Sequence, residues 1–94
     1  MDVREEWRKE LEERKQALKE QKDKLESETY NLEFKFNTLT KAHRDKFDEG
    51  VLHLFEKAKQ DLDVQIEERN NEVKQIETEL TFIDIILVHL SAVN

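Results

Sequence analysis

The sequence contains no cysteine, no proline and a single glycine, Gly50, in 94 residues. Without cysteine, the chain can form no disulfide and offers no thiolate for metal binding or nucleophilic catalysis. Without proline, and with one glycine, it lacks the residues that most often shape the turns of compact all-β or mixed domains. These absences leave a small number of long helices as the simplest architecture.

Long apolar runs and basic surfaces are also missing. The most apolar stretch, residues 80–93, is interrupted by Asp84 and His89 and is shorter than the roughly 20 residues that span a bilayer. The N-terminal residues are charged and show no secretory signal, so we expect a cytoplasmic or nuclear location. The net charge of −7 belongs entirely to residues 47–94, which argues against a nucleic-acid partner and does not favour electrostatic docking on a membrane.

Motifs for catalysis and metal binding are absent from the sequence. A chain with one glycine has no nucleophile elbow, phosphate loop or dinucleotide fingerprint. His43, His53 and His89 are far apart, and none follows a carboxylate residue by three positions, as the ligands of di-iron bundles do. The acidic pairs of the second half lack the glycine-containing spacing of calcium loops. We therefore expect no enzyme activity, no metal site and no cofactor.

The feature that is present is a pair of apolar series with a period of seven residues, which mirror each other about Gly50. Such a period is typical of helices that pack along one face, and the charged fraction of 41% suits long helices better than a thick globular core. We call the predicted contact residues the seam. They are Leu11, Leu18, Leu25, Leu32, Phe36, Leu62, Ile66, Val73, Ile76 and Leu80.

The mirrored series predict an all-α fold, a long antiparallel two-helix coiled-coil hairpin that forms a single domain over residues 1–94. Helix 1 is predicted over about residues 3–47, the turn over 48–50 and helix 2 over 51–91. Asp2 is the candidate N-cap of helix 1, and Asp48 or Asp45 is that of helix 2. Folding at Gly50 pairs residues whose numbers sum to 98. Two alternatives are an unbroken helix that pairs with other chains as a rod, and a break between residues 27 and 40 that gives three helices.

The two predicted helices are unequal. Helix 1 has a thin seam, because the core positions between its leucines are polar, as Arg14, Gln21 and Glu28 or as Lys15, Lys22 and Thr29. In helix 2, the four-residue step from Leu62 to Ile66 indicates a stutter that locally unwinds a supercoil.

The end of helix 2 is apolar on most sides, more than one facing helix can cover. We therefore predict an oligomer or partner interface that completes a four-helix bundle or a larger helical oligomer. Its residues are Phe82, Ile83, Ile86, Leu87 and Leu90. Near the turn, Tyr30 and Phe34 lie off the seam, and more apolar residues surround the tip than a two-helix contact can cover, which predicts a wide local core or a dimer contact. The further residues are Phe47, Val51, Leu52, Leu54 and Phe55.

These patterns favour a non-enzymatic structural or adaptor protein that mediates protein–protein assembly as a homo-oligomer. One alternative is a coiled-coil subunit of a hetero-oligomeric complex, with the apolar C-terminal helix docked on a protein partner. A second alternative is a peripheral membrane or lipid-binding protein that uses residues 82–93 as an interfacial helix.

Overall fold

A computed structural model of the chain describes residues 2–43 and 47–92. These residues form two helices, α1 (Val3–Ala42) and α2 (Glu49–Ala92), and no strand. The helices pack against each other in an extended hairpin with dimensions of 71 × 15 × 15 Å. The predicted all-α hairpin is therefore confirmed. The unbroken rod is wrong because the chain forms two helices that pack against each other. The break between residues 27 and 40 is wrong because α1 runs through that region without interruption.

Asp2 and Asp48 cap the two helix starts, while the alternative cap Asp45 lies outside the described residues. The Asp2 carboxylate oxygen Oδ1 accepts a hydrogen bond from the Arg4 amide at 3.2 Å, and Asp48 Oδ1 accepts one from the Val51 amide at 2.9 Å. Such bonds satisfy amides that have no partner within the first turn of a helix. The caps explain why the helices begin at Val3 and Glu49.

The connection between the helices differs from the predicted turn at residues 48–50. Helix α1 ends at Ala42 rather than near residue 47, and Gly50 lies in the first turn of α2, with no positive φ angle. Since Asp48 caps α2 directly, the conformational freedom of Gly50 is not used. Aromatic rings contact each other at this end of the hairpin. The centroid of the Phe55 ring lies 5.5 Å from that of the His43 ring and 5.4 Å from that of the Phe47 ring.

The core of the hairpin is a single line of side chains between the helices. Leu18, Leu25, Ile76 and Ile83 are buried, and Leu11, Val73, Leu80 and Leu87 pack against them. Thr29, a polar residue, is also buried in this line, and its hydroxyl donates a hydrogen bond of 2.8 Å to the Leu25 carbonyl oxygen.

Partly buried polar residues complete the seven-residue pattern in both helices. Along α2, Lys59 and Arg69 occupy the steps between Phe55, Leu62, Ile66 and Val73, so that steps of four and three residues alternate without interruption. The predicted stutter at Leu62 is therefore wrong, because a polar residue fills the step that an apolar one would normally take. Along α1, Lys15 and Lys22 fill the corresponding steps.

Arg69 and Thr29 form a polar layer near the middle of the seam. The Arg69 Nε atom is 3.4 Å from Glu28 Oε2 but makes no hydrogen bond, although it is buried. An unsatisfied buried donor costs free energy, whereas a polar seam residue can fix the register of two helices. The polar layer therefore favours a single alignment of the two helices and lowers the stability of the hairpin.

We expect Leu18→Ala to lower the free energy of unfolding by about 2–5 kcal/mol, because Leu18 is only 2% exposed and its removal leaves a cavity. The matched control is Leu54→Ala, since Leu54 is 66% exposed and should change stability by less than about 0.5 kcal/mol. Urea unfolding followed by circular dichroism at low protein concentration measures both. Equal effects of the two variants would contradict the described core.

We expect Arg69→Met to raise the free energy of unfolding by about 1 kcal/mol, because it replaces an unsatisfied buried donor with an apolar side chain of similar length. Lys57→Met, on the exposed side of α2, is the control and should be close to neutral. The same urea titration compares them. A loss of stability specific to Arg69→Met would show that the pair with Glu28 outweighs the burial cost.

Candidate interaction surface

The register of the hairpin is fixed by contacts at its two ends. The Arg8 guanidinium donates to the Leu90 carbonyl oxygen at 3.4 Å near the open end, and the His43 ring stacks on the Phe55 ring at the other. In both contacts the residue numbers sum to 98, as in the predicted pairing. The same register places Lys15 opposite Ile83, and Lys22 opposite Ile76.

Six of the ten predicted seam residues belong to the core of the hairpin or pack against it. Leu18, Leu25 and Ile76 are buried, and the other seven are half-buried. Those seven are Leu11, Leu32, Phe36, Leu62, Ile66, Val73 and Leu80. Toward the tip, the ammonium group of Lys59 lies 5.6 Å from the centre of the Phe36 ring, a distance typical of a cation–π contact.

Two lysines of α1 reach across the seam to carboxylates of α2. Lys15 Nζ lies 2.6 Å from Asp84 Oδ1, and Lys22 Nζ lies 3.3 Å from Glu77 Oε1. Each carboxylate is the sequence neighbour of the isoleucine that its lysine faces, so the lysine stems cover the seam while their charged ends stay near water. This explains how Ile83 is only 2% exposed opposite a polar position.

A third cross-helix pair joins Arg14 and Glu79. The guanidinium contacts the carboxylate through two nitrogens, at 2.7 Å and 3.3 Å. The hydrogen bond from Arg14 holds the pKa of the Glu79 carboxyl below its ordinary value, and the same bond raises the pKa of Arg14. Both groups are solvent-exposed, so the pair contributes little stability.

The side of α2 that points away from α1 remains apolar near its C-terminal end. We call this surface the outer C-terminal face. It consists of Thr78, Thr81, Phe82, Ile85, Val88 and His89, all exposed. Phe82, Ile85 and Val88 are 61%, 55% and 65% exposed, and the face contains no aspartate, glutamate, lysine or arginine.

The predicted interface overlaps this face only in part. Of its five residues, Phe82 lies on the outer face, Ile83 is buried in the hairpin, and Leu87 packs against the core. Ile86 and Leu90 are half-buried. The predicted interface omits Ile85 and Val88 because the prediction rests on the density of apolar residues. The phase of the seven-residue pattern indicates that these two side chains point away from α1.

The charges beside the outer C-terminal face are compensated. Residues 77–92 contain three acidic side chains, and each is paired with a base of α1: Glu77 with Lys22, Glu79 with Arg14, and Asp84 with Lys15. Farther along α2, Asp61, Asp63, Glu67 and Glu68 are exposed, and the nearby base Arg69 is shared between Glu28 and Glu68. The acidic side chains of α2 beside this face are therefore paired within the hairpin, while the middle of α2 carries a cluster of acidic residues.

A second apolar surface lies near the connection between the helices. Tyr30, Phe34 and Leu54 are 69%, 65% and 66% exposed. Beside them two shallow grooves meet at Leu39, and we call these together the tip groove. Its lining is Phe34, Lys35, Thr38, Leu39 and Leu62 on one part, and Leu39, Val51, Leu54, Phe55 and Ala58 on the other.

We expect Lys15→Met and Lys15→Ala to differ in stability, although both remove the same charge. Methionine keeps a long apolar stem over Ile83, so Lys15→Met should stay within about 0.5 kcal/mol of the parent chain or exceed it. Alanine uncovers Ile83, and Lys15→Ala should lose about 1 kcal/mol. Thermal and urea unfolding measure the difference, and equal losses would instead assign the effect to the pair with Asp84.

Within residues 2–43 and 47–92, no group of three or more histidine or acidic side chains is arranged to hold a metal ion. No helix in this described part is long and apolar enough to cross a membrane. Comparisons of the chain with protein-family models, with curated proteins and with solved structures found no match.

Proposed function

We propose that the chain is a non-enzymatic assembly element that self-associates through its outer C-terminal face. The observation that carries this proposal is the exposure of Phe82, Ile85 and Val88, each more than half exposed after the hairpin has closed. Neighbouring apolar side chains that stay exposed together usually mark a contact surface. Trp7, 45% exposed, extends the surface, since Trp7 and Ile86 lie one heptad beyond the contacting pair Arg14 and Glu79.

The charge distribution favours a second copy of the chain as the occupant of this face. The three acidic residues beside the face are already paired within the hairpin, so they oppose the approach of a second copy less than unpaired carboxylates would. The acidic middle of α2 has the opposite effect, since Asp61 and Glu67 of two copies would repel each other. Self-association is therefore directed to the C-terminal end.

The expected affinity is modest. Complete burial of a large apolar side chain is worth about 1.5–3 kcal/mol, so the exposed parts of Phe82, Ile85 and Val88 contribute about 1 kcal/mol each. Two copies bury about twice that amount, and Trp7 and Ile86 add to it. Association costs about 4–15 kcal/mol, so the net gain is a few kcal/mol at most. The fraction of dimer should therefore rise with concentration from roughly hundreds of micromolar upward.

We expect the parent chain, a monomer of 11.3 kDa, to form dimers with increasing concentration in sedimentation velocity, and Ile85→Lys to remain monomeric. The lysine places an uncompensated charge at the centre of the face. Val64→Lys is the matched control, because Val64 lies three heptads before Ile85 on the same side of α2 and is 50% exposed. It should dimerise like the parent chain.

A substitution at Ile85 is a sharper test than one at Leu87, which also packs against the hairpin core. A parent chain that stays monomeric at several hundred micromolar, or an Ile85→Lys variant that dimerises normally, would overturn the proposal. Co-sedimentation of that monomer with phosphatidylcholine vesicles would support lipid binding through residues 82–93 in its place. A monomer that does not bind the vesicles would instead support the alternative that the chain is a subunit of a hetero-oligomeric complex.

A further inference from the structure

We infer that two copies meet tail to tail, with their α2 helices antiparallel and a two-fold axis passing close to Ile85. This inference rests on the proposed self-association and adds the orientation and overlap of the two hairpins. It follows from the order of apolar and acidic residues along the outward side of α2.

The outer C-terminal face is complementary to itself in this arrangement. With Ile85 on the axis, Ile85 meets its own copy, Phe82 lies opposite Val88, and Thr81 lies opposite His89. Each exposed apolar side chain of the face thus lies at the level of an apolar one, and Thr81 lies at the level of the polar residue His89. A two-fold contact needs this property, because the same surface must supply both sides of the interface.

Longer overlaps are opposed by the acidic middle of α2. Parallel hairpins side by side place Asp61, Glu67 and Glu68 opposite the same residues of the second copy. Antiparallel hairpins with full overlap have their axis near Val73, so Ile85 would face Asp61. Both arrangements bring charge into the contact at a cost, whereas the tail-to-tail overlap leaves residues 61–72 outside it.

The overlap also determines the shape of the dimer. Residues 78–92 span about 20 Å at 1.5 Å per residue, so two hairpins of 71 Å give a particle about 120 Å long. Complete side-by-side overlap would give about 70 Å. In the tail-to-tail dimer the two tip grooves lie at opposite ends, far from the contact.

The absence of native cysteine makes a crosslinking test direct, because each variant carries one reactive thiol. Thr81→Cys and His89→Cys, one with an affinity tag to distinguish the masses, are mixed at a concentration that supports dimers and treated with a short bis-maleimide. We expect the mixed 81–89 product to form at least tenfold faster than the 81–81 and 89–89 products. Val64→Cys, outside the overlap, is the control and should crosslink poorly.

Small-angle scattering at the same concentration should give a maximum dimension of about 120 Å, from the rise of 1.5 Å per residue. Preferential 81–81 and 89–89 products, or a dimer of about 70 Å, would overturn the tail-to-tail arrangement while leaving self-association intact. A chain that stays monomeric in sedimentation would overturn the proposed function itself, so the two failures are distinguishable.

Discussion

The contact between α1 and α2 along one seam is the interaction on which the rest of the molecule depends. Within the described residues, no third element covers either helix, so each helix buries one side and leaves the other in water. The apolar residues of α1 alternate with lysines along much of this line, whereas α2 is nearly continuous from Val73 to Leu90. The stems of Lys15 and Lys22 compensate for the difference, because they occupy the polar positions of α1 that lie opposite Ile83 and Ile76.

The same lysines connect the fold to the candidate interaction surface. Their ammonium groups end beside Asp84 and Glu77, and with Arg14 and Glu79 they compensate the charges at the C-terminal end of the hairpin. A leucine at position 15 would bury more apolar surface, but it would leave Asp84 without its partner beside the outer C-terminal face. A polar position in the seam therefore has two effects: it limits the stability of the hairpin, and it pairs an acidic residue beside the exposed apolar end.

Much of the fold could be predicted from the sequence, because the seven-residue period and the capping residues act locally. The helix starts at Asp2 and Asp48 and the pairing of His43 with Phe55 follow from such patterns. The end of α1 could not be predicted in this way, since it coincides with the contacts that the His43 and Phe47 rings make with Phe55. For the interaction surface, composition predicted an apolar end, but the choice between Ile83 and Ile85 required the phase of the seam.

The hairpin and the proposed dimer both use apolar residues at the end of α2, and the hairpin buries part of this set first. Ile83 and Leu87 are drawn into the seam because they lie on the same side of α2 as Val73 and Leu80. The remaining outward residues, Phe82, Ile85 and Val88, are too few for a tight interface by the magnitudes above. In the proposed assembly, the chain is therefore folded at concentrations where it is still a monomer, and the hairpin persists while the contact between copies forms and dissociates.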